Sequence, residues 1–453
     1  MLAVLGFLTL GTFMVLVLRK YATAFVAIIT APVLFAILAG RGGDLGDMAI
    51  SGIKTVAPTA ILLLFAILYF GVMMDAKLFE PVSRAIIRLS KGDPVRICVG
   101  TAVLALLVAL DGDGTTSYMI ICSAFLPIYR RLGINPLVIA TIATMALGAV
   151  SGSTPWGGAA TRAISVMHLD ATAYFVPFLP SLALTSGVII MIAYFLGLRQ
   201  RRDVDPLVIA EVAQEIAASR NRGGSGGTTT ITGGSDGADS ADETAAVTPR
   251  WKMWFNAGLT ALLLVLLILG VAPLVTLFIA GFVIALLVNH PKLTDQSDVI
   301  KRHASSAVPV VVLALAAGIF TGILTDTGMV EAMAKSMLAI VPDGMGNLIP
   351  LFTAVIGLPL SFFMSNDAYF FGVLPVLAES AAQFGIPADE IARAGVIGQM
   401  LHSVGPASAP LWVLLGLVKR DLGDFQRFSL LPVTLASLAW IVFAVVTGAI
   451  SIA

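Results

Sequence analysis

Charge is what this sequence has least of. Only 12% of its 453 residues are Asp, Glu, Lys or Arg, where about 25% is usual in a soluble domain. Formal net charge is zero, so there is no basic footprint for nucleic acid. Cysteine is nearly absent: Cys98 and Cys122 are too few for a disulfide framework and read as apolar packing. No P-loop or other nucleotide-binding pattern occurs, which argues against a primary pump. A cleavable leader is not expected, because the positive charges Arg19 and Lys20 follow the first apolar run instead of preceding it. A retained first span is expected.

What remains is apolar sequence, 58% of the residues, with mean hydropathy +0.96. The fold class expected is an all-α polytopic membrane protein. Apolar runs predict spans at Leu2–Leu18, Ala22–Gly40, Thr55–Met74 and Tyr174–Leu198. After a gap they continue at Trp254–Leu269, Pro273–Val288, Val308–Leu324 and Phe428–Ile450. Four further runs carry polar interruptions. Residues 97–127 hold Asp111-Gly112-Asp113-Gly114-Thr115-Thr116-Ser117 between apolar arms of about 14 residues or fewer, short of the roughly 20 that cross a bilayer. They read as a re-entrant hairpin, and residues 348–382, with Ser365-Asn366-Asp367 at their middle, as a second one. Residues 136–168, divided at Ser151 to Gly158, and 391–418, divided at His402 to Pro406, read as broken helices. Irregular backbone at membrane depth survives only where it is buried in protein or lines a wet cavity.

The pattern is duplicated. Pro309 minus Pro58, Asp326 minus Asp75, Tyr369 minus Tyr118 and Pro406 minus Pro155 all equal 251. A shared offset over separate segments implies an inverted repeat of about ten spans, two hairpins and two broken helices. Residues 1–200 form the first half and 251–453 the second. Residues 201–250 are rich in Gly, Ser, Thr and Asp and read as a disordered linker, with a short surface helix over 205–218. With this topology every Lys and Arg except Arg41, Lys54, Lys335, Arg393 and the in-span Arg162 falls on one side. By the positive-inside rule that side is cytoplasmic. The linker is then cytoplasmic, both termini are extracellular, and the chain is a multi-pass protein of the cell membrane.

In each interruption one half-helix ends and another begins. A beginning half-helix offers free N–H groups and a positive dipole end, which attract carboxylate. An ending one offers carbonyls, which attract a cation. The substrate site expected from these residues comprises Thr115, Thr116, Ser117, Ser153, Thr154, Gly157, Gly158, Arg162, Ser365, Asn366, His402 and Ser403. Asp111, Asp113 and Asp367 are the candidate metal ligands, since hard divalent cations prefer oxygen. Asp111, Asp113 and His402 are the candidates for proton coupling. Each has a structural reading beside the functional one. An Asp can cap a helix, Arg162 can form an ion pair with a hairpin Asp, and His402 can be a hydrogen-bonded core residue. A hydrolase built on Ser403 with His402, or on the Asp pair, is disfavoured because adjacent residues do not make a catalytic geometry.

LDGDGTTSYMI (Leu110 to Ile120), PWGGAATR (Pro155 to Arg162) and SNDAYFFGVLPVLAE (Ser365 to Glu379) resemble the signatures of the bacterial citrate–metal:proton symporters. The likeness covers most of the chain outside the linker. It implies the same inverted-repeat fold, an elevator-like movement and a homodimer in the lipid bilayer. The cargo it implies is citrate complexed with a divalent cation, Mg or Ca, carried in with protons and with no resident cofactor. Alternatives on the same fold are a sodium-coupled dicarboxylate or citrate carrier and an ion antiporter.

Overall fold

The computed structural model describes residues 1–204, 206–212, 214, 249–338 and 346–451. Among them every regular element is helical. Eight helices are long and apolar enough to cross a membrane, and five shorter apolar helices of 10–17 residues accompany them. Two of the eight, Pro94–Asp111 and Gly346–Phe363, are the entering arms of the hairpins, and one of the five, Ala368–Ala382, is a returning arm. Six long and four short segments are left, which gives ten crossings.

We number α1 Leu2–Leu18, α2 Ala24–Leu38 and α3 Leu45–Asp75. Next come α4 Glu80–Ser90, the hairpin arms α5 Pro94–Val108 and α6 Gly114–Arg131, and the half-helices α7 Pro136–Ala146 and α8 Gly158–Val166. The first half closes with α9 Ala171–Phe175 and α10 Leu179–Asp203. The second half runs α11 Arg250–Ile268, α12 Leu274–Asn289, α13 Leu293–Asp326 and α14 Met329–Leu338. It continues with the hairpin arms α15 Ile349–Phe363 and α16 Leu374–Ala382, the half-helix α17 Ala388–Gly398, then α18 Ala409–Val418 and α19 Leu422–Val446. The ends of α3 and α13 differ by 251, as do the starts of α8 and α18 and those of α9 and α19.

Several boundaries depart from the sequence expectation, most of them because a helix runs past its apolar core into polar ends, while α2 and α8 stop short of the expected range. The first hairpin occupies 94–131, not 97–127, because Asp93 caps α5 by accepting from Val95 N at 3.0 Å and Pro94 fits the first helical turn. Both its arms are therefore 18 residues long, and arm length does not distinguish it from a pair of spans. What distinguishes it is its tip, which meets the middle of a broken helix. The broken helices cover 136–166 and 388–418 instead of 136–168 and 391–418. Helix α10 continues to Asp203, so the linker does not begin at 201. Residues 206–212 are helical, and most of the linker expectation lies outside the described residues.

Equivalent helices of the two halves run antiparallel. Near the start of α3 and the end of α13, a Cβ on Gly52 would fall 1.9 Å from Gly318 O, and one on Gly322 would fall 2.4 Å from Met48 O. At their other ends Arg302 Nη1 lies 2.9 Å from Asp75 Oδ2. Polar contacts elsewhere respect the same two ends. Arg130 Nη2 donates to Leu417 O at 3.1 Å and Asn135 N to Gln200 Oε1 at 2.9 Å, all at the end carrying the linker. Arg393 Nε donates to Ala449 O at 2.7 Å at the opposite end. A missed crossing would have joined residues from different ends. In lipid, close helix contact rests on small residues and packing instead of water exclusion, and the Gly52–Gly318–Gly322 contact supplies it here.

Candidate functional site

At the first hairpin tip α5 tightens into a 3₁₀ turn, Ala109–Asp111, and Gly112 reverses the chain at φ +80°. A Cβ there would also press on Trp156 Cδ1 at 2.9 Å and Trp156 O at 3.1 Å. Asp113 starts α6 as its N-cap, accepting from Thr115 N at 3.3 Å, Thr116 N at 3.0 Å and the Thr116 hydroxyl. Asp111 is buried and accepts from Asp113 N at 2.9 Å and Ser117 Oγ at 2.8 Å. Both carboxylates are thus built into the tip that they shape. Trp156 Nε1 donates to Leu110 O at 2.7 Å, taking up one carbonyl of the ending arm. Phe70 and Phe278 pack on the indole at 5.7 and 4.8 Å between centroids.

The first broken helix loosens into a π-turn at Leu147–Ser151, and α8 restarts at Gly158 after Gly157, with no side chain capping it. Its first N–H groups are therefore open to an anion. Ser153 and Thr154 are fully buried, and their hydroxyls donate to Ala149 O at 2.7 Å and Ser151 O at 3.3 Å. One turn into α8, Arg162 Nη1 donates to Gly158 O at 2.5 Å and Nε to Asp367 Oδ1 at 2.6 Å. Arg162 and Asp367 join the first broken helix to the second hairpin.

At that second tip Met364 is extended, Ser365 Oγ accepts from Ala368 N at 3.2 Å, and the chain re-enters through a π-turn, Ala368–Val373. The second break is a 3₁₀ turn, Met400–Val404, before α18, whose N-cap Ser408 makes no side-chain cap bond. His402 Nδ1 lies 3.1 Å from Ser361 O, while Ser403 Oγ donates to Met400 O at 2.6 Å. Ser403 and His402 thus engage different partners, and no Ser–His pair forms. Cβ atoms on Gly114, Gly148 and Gly405 would meet Pro410 Cγ at 3.0 Å, Ser403 Oγ at 3.2 Å and Phe362 O at 2.6 Å. All four interruptions therefore touch.

A cavity of about 150 Å³ opens beside them, lined by Thr161, Arg162, Ser165, Phe371 and the α13 stretch from Pro309 to Ala314. Several buried polar groups in this region have no partner: Ser165 Oγ, Asn366 Oδ1, Tyr369 Oη and both amide atoms of Gln399. A buried group left unpaired costs about 1–3 kcal/mol, and such groups in native proteins point to a ligand or a water. Ser165 and Gln399 escaped the sequence reading, which followed the most polar residues of each interruption. Gln399 sits one residue before the 3₁₀ turn, in a run otherwise read as apolar. No group of three or more His, Cys, Asp or Glu side chains is gathered for a metal among the described residues. Asp111 and Asp113 share one tip, and Asp367 lies on the other, paired with Arg162 of α8.

A model of the citrate transporter family matches residues 12–398. Three Bacillus subtilis proteins are each 42% identical over 100% of this chain and 100% of their own length. They are a citrate transporter, a Mg(2+)/citrate complex secondary transporter and the uncharacterized transporter YraO. The chain belongs to the citrate transporter family. It is a transporter and not an enzyme, and the resemblance read from its hairpin and PWGG segments holds at the level of family. The crystal structure of the Alcanivorax borkumensis YdaH transporter, with its unusual topology, shares the fold. Its TM-score is 0.61 at 15% identity, covering 89% of this chain and 88% of that one. In this citrate-transporter fold the candidate residues divide into two groups. Arg162, Asp367, Asn366 and the open start at Gly157–Gly158 keep capacity for a ligand. Ser117, Ser153, Thr154, Ser365 and Ser403 hold the backbone of their own interruptions.

Proposed function

We propose that the protein imports citrate chelated to a divalent cation, Mg²⁺ or Ca²⁺, together with protons, by an elevator-like movement of the hairpin-bearing segments within a homodimer. The observation that carries this reading is Arg162, which lines the cavity next to the uncapped start of α8 and meets Asp367 at 2.6 Å. Arg162 binds carboxylate in a fork. In the absence of cargo Asp367 takes the place of a substrate carboxylate, and a citrate carboxylate exchanges with it. The freed Asp367, with Asn366 Oδ1 beside it, then faces the chelated cation. Among the described residues no group of three or more His, Cys, Asp or Glu side chains is gathered for a bare divalent ion. A cation that retains its citrate oxygens and waters needs only one or two more. Asp111, Asp113 and His402 are the proposed proton carriers.

Citrate bearing a divalent metal carries one negative charge, so one proton gives electroneutral uptake and two make it sensitive to voltage. The linker side is taken as cytoplasmic on the Lys and Arg bias, which puts both termini outside. Names of relatives support the cargo: one is a citrate transporter and another a Mg(2+)/citrate complex secondary transporter.

The test is uptake of labelled citrate into proteoliposomes, with and without Mg²⁺, under a proton or a sodium gradient. Uptake that needs the metal and follows the proton gradient is expected. Metal-independent uptake under sodium alone overturns the proposal. That outcome would favour a sodium-coupled carrier, for which the neutral oxygens of Asn366 and Gln399 are suitable ligands.

A further inference from the structure

A buried serine on a helix ordinarily gives its hydroxyl to the carbonyl three or four residues earlier. Ser153, Ser181 and Ser437 do so, at 2.7 Å to Ala149 O, 2.9 Å to Phe178 O and 2.8 Å to Val433 O. Ser165 does not. Its hydroxyl is buried without a partner, although the residue borders the cavity beside Arg162. Thr161, Arg162 and Ser165 share one face of α8. Of these Thr161 is already committed, donating to Gly157 O at 2.5 Å. The 251-residue offset pairs the three with Trp412, Val413 and Gly416 of α18. The equivalent half-helix is therefore built without a polar stripe, and the fold does not require one. Across the cavity the offset pairs Ala314 with Leu63, which is fully buried in α3. A smaller residue thus stands on α13 where the repeat has a leucine, and it leaves room. The cavity of about 150 Å³ is well above the roughly 10–15 Å³ that one water needs.

Resting on the metal–citrate reading above, we propose that this cavity is the subsite for the carboxymethyl arm of citrate that does not hold the cation, with Ser165 as its specificity-determining residue. Citrate chelates a cation through its hydroxyl, the adjacent carboxylate and one arm. The second arm is left over, with its charge uncompensated. Arg162 meets that charge. Nearly one turn further along α8, Ser165 swings its hydroxyl about a single side-chain bond and donates to the same carboxylate. A buried hydroxyl that is unpaired in the empty carrier gains a partner in the loaded one, and this difference adds to affinity. The methylene of the arm packs against Val310, Leu313 and Ala314 on the apolar wall. Malate is citrate without this arm. It keeps the hydroxyl and both chelating carboxylates, so it binds the cation in the same way and leaves Ser165 unpaired.

The test is displacement of labelled citrate by unlabelled citrate or malate from the full-length protein in nanodiscs, at saturating Mg²⁺. The parent is expected to bind citrate about tenfold or more tightly than malate. S165A is expected to weaken citrate about tenfold and to leave malate unchanged, because a hydrogen bond to a charged group is lost. Its melting temperature without cargo should hold or rise, since the variant gives up an unpaired group. A314L, which fills the cavity with the residue of the other repeat, is expected to weaken citrate alone. Unchanged citrate affinity in S165A, or an equal loss for both acids, overturns the subsite while the metal–citrate reading stands. A parent that binds neither acid with Mg²⁺ overturns both. S165A carries the test if A314L does not fold.

Discussion

Arg162 is held from two directions, by Gly158 O in its own helix and by Asp367 across the site. Lys keeps the charge but not the fork. R162K is expected to lower citrate uptake about tenfold or more, the loss of roughly 1.4 kcal/mol, with an unchanged melting temperature. Asp113 separates two roles by its substitutions. D113N retains a capping side chain, so it should fold normally and lose uptake; retained uptake would leave Asp113 a cap alone. D113A removes the cap and should cost about 0.5–2 kcal/mol of stability. Gln399 gives the opposite sign. Q399M fills the site without unpaired polar atoms, and it should hold or raise the melting temperature while reducing uptake. A joint loss of stability and uptake would mark Gln399 as structural. At this scale the sequence was informative wherever a residue contradicts its surroundings. A lone Arg within a span is visible; its partner, 205 residues away, is not. Nor does sequence tell that Ser165 and Gln399 lack partners, because partners belong to the packed structure.

The elements were more legible than their ends. Polar strings inside apolar runs mark both hairpins and both breaks, since membrane-depth backbone can be irregular only around a site. The arms were read too short because charged residues such as Arg96, Arg130 and Arg131 still lie within helices. A helix continues until a cap ends it, not until its apolar residues run out. Packing of whole elements rests on few atoms. A methyl group at Gly52 would meet Gly318 O at 1.9 Å, and G52A should force α3 and α13 apart. Overpacking of this kind typically costs about 1–3 kcal/mol, readable as a lower melting temperature in detergent. G46A, where a Cβ meets nothing within 4 Å, is the control expected to have no effect.

For the whole molecule the register of 251 residues was available from a handful of identities, and the helices repeat it from α3 with α13 to α9 with α19. What sequence could not supply was the place of the cavity. Its walls come from α8, the second hairpin and α13, which are far apart in the chain. If α8 and α13 belong to bodies that slide past one another, a mercurial bridge between S165C and L313C should arrest uptake and a reductant should restore it. Continued uptake with the bridge in place would argue for rocking without sliding. The Arg162–Asp367 pair has one more consequence, at the level of electrical work. A unit charge carried through the membrane field is worth about 2.3 kcal/mol per 100 mV. With its cation already neutralised, this part of an unloaded carrier returns without moving charge, so voltage cannot hold it on one side. D367N would leave Arg162 bare, and transient currents from substrate-free vesicles should change by the equivalent of one added positive charge in that variant relative to the parent.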